Sequence, residues 1–275
     1  MELLVFDLDG TLLNQQQRIS ALTQDTLKQL GQRNIAYTVA TGRTLHAAKP
    51  CLDGSEFILP HVYKNGVVIW HPSQQHYAHP NFLTSAEIDA VLTAFMRQGV
   101  TPFVCTLDAQ HQAAIYHPPI FDELGEYLKA EMHRHHPELP MLLLDQLEDQ
   151  HHITNISAMG PNDSARYLHW QLEDMPHLVA YTGESMYKPG CAWMDIHHSA
   201  ASKGGALEIL KAELGFERII CFGDSDNDIS MFECADECYA PANATEEIKA
   251  KASAVIGHHD QDGIAKFLRA RFDLK

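Results

Sequence analysis

The chain is short of cations. Its 275 residues hold 20 Lys and Arg against 36 Asp and Glu, a formal charge of −16. A surface that negative repels nucleic acid and anionic lipid, so neither is expected as a partner. It also repels a phosphorylated molecule at long range, so an anion site has to be built locally, from a metal ion and a few cations. Long apolar runs are missing too. No segment approaches the roughly 20 apolar residues that a membrane span needs. The opening Met1-Glu2-Leu3-Leu4-Val5-Phe6-Asp7 has no basic start, and Asp7 breaks its apolar run at once, unlike a secretory signal. A cytoplasmic location is the expectation. Neither an internal repeat nor a low-complexity linker is visible. Cysteine is sparse and scattered, at 51, 105, 191, 221, 234 and 238. Only Cys234 and Cys238 are close, and their spacing matches no usual zinc or redox pattern, so reduced, isolated thiols are expected.

What is present is ordinary for a folded protein: 45% apolar and 20% charged residues. The length allows one large domain or two ordinary ones with real cores. Histidine is the exception, at 18 residues. Several fall in groups: His133, His135 and His136; His151 and His152; His197 and His198; His258 and His259. None shows a two-sided ligand spacing, so solvated surface histidines are expected rather than a metal site.

Residues 3–6 form a short apolar run ending at Asp7, the pattern of a strand buried on both faces. Ser20 can cap a helix carrying Leu22, Leu27 and Leu30. Residues 35–40 repeat the buried-strand pattern and stop at Thr41-Gly42-Arg43. A short helix follows and should end before Pro50. Strand, helix, strand, helix implies a parallel sheet with right-handed crossovers. Asn65-Gly66, between apolar runs, signals a tight hairpin.

From about residue 80 the texture changes. Thr84 and Glu87 form a capping box for a helix with Ile88, Val91, Leu92 and Phe95 on one face. Strands then arrive in pairs between helices, which suggests a mostly antiparallel sheet with helices on one face. After Lys188-Pro189-Gly190 the first texture returns. Residues 192–196 read as a strand, Lys203 opens a helix, and residues 218–222 are a buried strand ending in Gly223-Asp224. Asp262 should cap a last helix. The expected fold class is α/β: a Rossmann-like parallel-sheet core with helices on both faces, residues 1–80 and 188–275, plus an inserted α/β (α+β) cap domain, residues 81–187.

Four short segments then converge where parallel core strands end, the edge at which open α/β sheets bind ligands. In Asp7-Leu8-Asp9-Gly10-Thr11-Leu12, two carboxylates follow a buried strand, where charge needs a partner, and Gly10 permits the turn that aims them at one spot. Thr41-Gly42-Arg43 offers a hydroxyl and a free amide, although a plain turn would explain it equally well. Lys203 is a lone cation near a helix start and carries little weight alone. Gly223-Asp224-Ser225-Asp226-Asn227-Asp228 packs three acids and an amide behind a buried strand. Such a cluster needs a cation, and oxygen-only ligands point to Mg²⁺ rather than zinc.

Together these segments resemble the four motifs of the haloacid dehalogenase-like superfamily, in order and placement from residue 3 to about 232. The long insertion, Asn65-Gly66 and Lys203-Gly204 are similar to its Cof-type subgroup. One departure is Ala240-Pro241-Ala242-Asn243-Ala244, where relatives often carry Met-Gly-Asn-Ala. The resemblance implies a Mg²⁺-dependent phosphatase of small phosphorylated metabolites, such as sugar, nucleotide-like or cofactor-precursor phosphates, present as monomer or dimer. It implies Asp7 as nucleophile, forming an aspartyl-phosphate, and Asp9 as proton donor and then base. It implies Leu8, Thr41, Gly42, Lys203 and Asn227 as phosphate-binding residues. Asp7, Asp9 through its backbone carbonyl, Asp224 and Asp228 would hold the metal. Dehalogenases need no acid for a halide leaving group, so Asp9 favours phosphate esters. The inserted domain would close over the site and select the substrate. A phosphomutase with the same motifs, and a non-enzymatic binding protein that has kept the fold, are the alternatives.

Overall fold

The computed structural model describes residues 1–275 except 79, 109–111, 136, 149–151, 174, 176, 186 and 187. His136 and His151 therefore lie outside the described residues. The chain divides into two compact units, Met1–Pro80 with Ala201–Lys275, and Asn81–Ala200.

The first unit begins with β1 (Glu2–Phe6), α1 (Ala21–Gln32), β2 (Ala36–Val39) and α2 (Leu45–Leu52). A small antiparallel sheet follows: β3 (His61–Tyr63), β4 (Val68–His71) and β5 (His76–Ala78). The second unit carries α3 (Ser85–Arg97), β6 (Phe103–Leu107), β7 (Ala113–His117), α4 (Glu123–His135), β8 (Met141–Leu143), β9 (His152–Pro161), α5 (Asn162–Glu173), β10 (Leu178–Glu184) and β11 (Cys191–His198). The chain then returns to the first unit with α6 (Lys203–Leu214), β12 (Arg218–Phe222), α7 (Ile229–Cys234), β13 (Glu237–Pro241), α8 (Glu246–Lys251), β14 (Ala254–Ile256) and α9 (Gly263–Phe272).

The main sheet of the first unit is wholly parallel, in the order β14-β13-β12-β1-β2. Its strand β1, between β12 and β2, is buried on both faces, with Leu3, Leu4, Val5 and Phe6 fully inaccessible. Leu3 and Val5 pack with Leu207 and Leu210 of α6, Ile219 and Cys221 of β12 and Met231 of α7. Phe6 turns the other way and meets the Phe222 ring at 4.9 Å, and Phe222 in turn meets Phe267 of α9 at 5.9 Å. The alternation of side chains along a strand thus gives each face its own helices.

In the second unit the sheet order is β10-β11-β9-β6-β7-β8, antiparallel except between β7 and β8. Val104, Ile156, Ala158, Met194 and Ile196 form one apolar face, packed with Val91 and Phe95 of α3 and Leu168 and Leu172 of α5. On the opposite side of β9, Asn155 and Ser157 bond to Asp195 of β11.

Several expectations need correction. The strand at 192–196 belongs to the second unit: β11 pairs with β9 and β10, so that unit ends at Ala200 and not at 187. Its apolar pattern is equally suited to either sheet, and only pairing decides. α2 passes through Pro50 instead of stopping before it. Pro50 removes one N–H, yet the turn still closes through Asp53 N–H to the Lys49 carbonyl at 3.1 Å. Asp262 stands at the start of α9 without capping it; its backbone is left-handed and its carboxylate accepts instead from the Ser20 hydroxyl at 2.5 Å. His133 and His152 are exposed, but His197 is fully buried, edge-on to Tyr181, and His198, His258 and His259 are half-buried. No helix among the described residues is long and apolar enough to cross a membrane.

Candidate active site

Every candidate side chain of the first unit hangs from the carboxyl ends of β1, β2 and β12 or from the start of α6. Asp7 N–H still donates to the Phe222 carbonyl at 2.9 Å, so the acid leaves the sheet at its last ladder bond. The next residues wind one turn, with Leu12 N–H reaching the Asp7 carbonyl and Leu13 N–H the Leu8 carbonyl. Gly10 makes this turn possible. Its φ is +73°, and a Cβ there would lie 2.4 Å from Asp224 Oδ2. Leu8 itself has its side chain buried, so any ligand contact falls to its backbone N–H.

Lys203 is the centre of the charge arrangement. Its Nζ donates at 2.6 Å to Asp7 Oδ1 and at 2.6 Å to Asp228 Oδ1, and its side chain is fully buried. The Ser202 hydroxyl caps α6 by accepting from Gly205 N–H at 3.0 Å, which fixes where Lys203 starts. Burial alone would lower the Lys203 pKa, but Asp228 and Asp7 override it and hold the ammonium charged. Burial pushes Asp7 well above the usual carboxylate range, with Asp228 and Asp224 adding to it and Lys203 opposing. Asp224 is pushed up to about 6 by burial and by Asp228, against the Thr11 hydroxyl, which donates to it at 2.9 Å.

Asp228 is fully buried and committed on both oxygens. Oδ1 takes Lys203, and Oδ2 takes the N–H groups of Asp224 and Ser225 at 2.8 and 3.1 Å. Oxygens of Asp7, Asp224 and Asp228 all lie within 4.8 Å of one another. Three carboxylates facing one ammonium leave a net negative, all-oxygen donor set. That chemistry fits a hard divalent cation such as Mg²⁺. Asp7 Oδ2 and Asp224 Oδ2 accept no hydrogen bond among the described residues, so those two atoms are the ones open to a cation or a substrate.

The remaining expected residues surround this centre. Thr41 Oγ1 accepts from Arg43 N–H at 3.1 Å. Asn227 Nδ2 donates to Asn65 Oδ1 at 3.0 Å, and a Cβ at Gly42 would sit 3.2 Å from that same oxygen. Asp9 stands apart: its carboxylate is outside the three-acid cluster, half-exposed, and forked by the Arg43 guanidinium.

Three residues escaped the sequence reading. Asn65 was visible only as a turn former, yet it is buried and orients Asn227. The hairpin it sits in has a four-residue loop, since Tyr63 pairs with Val68. Asn243, just after β13, donates to the Gly10 carbonyl at 2.7 Å and so buttresses the Asp7–Asp9 turn. Arg43 stands out in the sequence only as the third residue of Thr41-Gly42-Arg43. A long-range partner leaves no local signal for any of them.

This geometry defines a class: an α/β protein with a carboxylate cluster and a buried lysine at the carboxyl edge of a parallel sheet. The model of the family described as haloacid dehalogenase-like hydrolase matches residues 4–268, and the chain belongs to that family. It is 25% identical over 288 residues to a 5-amino-6-(5-phospho-D-ribitylamino)uracil phosphatase of Bacillus subtilis, covering 99% of this chain and 98% of that protein. It is 28% identical over 281 residues to the HMP-PP phosphatase of Klebsiella pneumoniae, covering 97% and 94%. Among solved structures, a haloacid dehalogenase-like hydrolase from B. subtilis has the same fold, with a TM-score of 0.79 at 24% identity over 98% of this chain and 99% of that one.

Proposed function

We propose that the chain is a Mg²⁺-dependent phosphatase of small phosphorylated metabolites, working through a phosphorylated Asp7. The observation that carries this reading is the Asp7–Lys203–Asp228 arrangement beside Asp224, with a second carboxylate, Asp9, close in sequence yet outside it. The relatives named as a 5-amino-6-(5-phospho-D-ribitylamino)uracil phosphatase and as an HMP-PP phosphatase support the substrate class. When bound, the cation neutralises charge on the transferring phosphoryl group. Asp7, Asp224 and the Asp9 carbonyl are assigned to hold it, with Asp228 fixing the loop behind them.

Lys203 holds Asp7 Oδ1, which leaves Oδ2 to attack phosphorus. As the Oδ2–P bond forms, the bond from phosphorus to the ester oxygen breaks, and Asp9 gives that oxygen its proton. Asp9 then takes a proton from water, whose oxygen attacks phosphorus and frees Asp7 and inorganic phosphate. Leu8 N–H, Thr41, Gly42 N–H, Lys203 and Asn227 are assigned to the phosphoryl oxygens. Selectivity among substrates we assign to the inserted unit. The test is phosphate release from a panel of phosphorylated metabolites with and without Mg²⁺. Release that needs Mg²⁺ and disappears in Asp7→Asn is expected. Wild-type turnover in that variant would falsify the nucleophile assignment. Transfer of phosphate to a second sugar hydroxyl, with none released to water, would replace hydrolysis by a mutase reaction.

A further inference from the structure

We infer that Arg43 is the positioning residue for Asp9, an inference that rests on the phosphatase reading above. The guanidinium meets the carboxylate as a fork: Nε to Oδ2 at 2.7 Å and Nη2 to Oδ1 at 2.6 Å. The two ends of this pair are held very differently. The Asp9 side chain is 53% exposed and stands on a turn around Gly10, and no other described residue bonds its carboxylate. The Arg43 side chain is only 15% exposed, and its remaining arm is tied down. Nη1 donates to the Ala47 carbonyl at 3.1 Å and to Cys51 Sγ at 3.0 Å, both on α2. The Arg43 backbone is pinned as well, its N–H on Thr41 Oγ1 and its carbonyl accepting from Lys64 N–H at 3.0 Å.

A surface ion pair contributes little to stability, about 0–1 kcal/mol. Here the geometry ties a half-exposed acid to α2 and the end of β2. The fork uses one lone pair on each carboxylate oxygen and leaves the other, so Asp9 keeps a position from which a proton can leave or arrive. Arg43 thus touches Asp9 and not the reacting atoms, and its effect falls on the step in which Asp9 acts.

The test uses the full-length protein with Mg²⁺ and two probes: p-nitrophenyl phosphate, whose leaving group needs no proton, and an alkyl phosphate such as glycerol 1-phosphate, whose leaving group does. Misplacing a catalytic group by about 1 Å can cost about 100-fold. Arg43→Ala should therefore lower kcat/KM, which reports the step that breaks the ester bond, by about 10- to 100-fold on the alkyl ester and by far less on the aryl ester. Arg43→Lys, which keeps the charge but not the fork, should recover part of the alkyl-ester rate; it also decides the matter if the alanine variant does not fold. An equal loss of kcat/KM on both esters overturns the assignment and makes Arg43 a general structural or substrate-contacting residue. If wild type releases phosphate from neither ester, and from no metabolite, the phosphatase reading itself has failed. If wild type turns over and Arg43→Ala matches it, only this inference has failed.

Discussion

The two units bury their interiors by opposite means. In the second, Val91, Phe95, Ile156, Leu168 and Met194 meet in an ordinary apolar core between helices and sheet. The first has such a core too, but at its sheet edge it also buries Asp7, Asp228 and Lys203. Lys203 bonds both carboxylates, and Asp228 takes two backbone N–H groups besides. An apolar core tolerates exchange among side chains of similar size. A buried ion cluster does not, because removing one member strands the rest. The site is therefore the least replaceable part of the interior, and its chemistry and its stability rest on the same atoms.

Mutations can break or sharpen that contrast. The largest effect should come from Asp7→Asn, which should lower turnover by a factor on the order of 10³ or more, measured as phosphate release under saturating Mg²⁺. Next is Lys203→Met, which leaves Asp7 and Asp228 facing each other without a cation. It should cost about 3–5 kcal/mol in urea unfolding without Mg²⁺; wild-type stability in this variant would mean that the charges are not holding one another. Phe95→Ala in the second unit should cost a similar or slightly smaller amount, about 3–4 kcal/mol, through a cavity and not through charge. Its unfolding midpoint should therefore be insensitive to salt, whereas that of Lys203→Met should not.

A smaller effect concerns pH. His61 is buried beside Phe57 and Tyr63, and burial lowers its pKa from 6.5 to about 4. The unfolded chain then binds more protons than the folded one between those values. Stability contributed by the neutral ring is present above pH 6.5 and is lost as pH falls toward 4. The loss should reach about 3 kcal/mol, and His61→Gln should flatten that slope in urea titrations at successive pH values. Smallest is Ser157→Ala. It removes one of two donors to Asp195 Oδ1 and should cost about 1 kcal/mol.

Much of this was legible in the sequence, for local reasons. A strand buried on both faces must be apolar throughout, and residues 3–6 are. Ser20 and the Thr84–Glu87 box cap their helices as expected, because a cap needs only its own next three residues. The acids of the Asp224 loop stood out because charge beside a buried strand demands compensation. What stayed hidden depends on pairing across the chain. β5 is three short, half-buried residues with no apolar signature of its own. β11 has such a signature, but nothing in it says which sheet it joins. The Arg43 fork on Asp9 and the Asn243 bond to Gly10 join distant segments, and composition cannot announce them.

The strand order of the first unit has a consequence for how the protein is made. β1 sits between β2 and β12. During synthesis β2 arrives almost at once, but β12 is translated only after the whole second unit. At typical elongation rates of about 5–20 residues per second, one edge of β1 stays open for roughly 10–40 s. For most of that interval Asp7 lacks its lysine, since Lys203 is made only shortly before β12. The second sheet is complete by β11, so a nascent chain can close the inserted unit while β1 is still waiting for its neighbour.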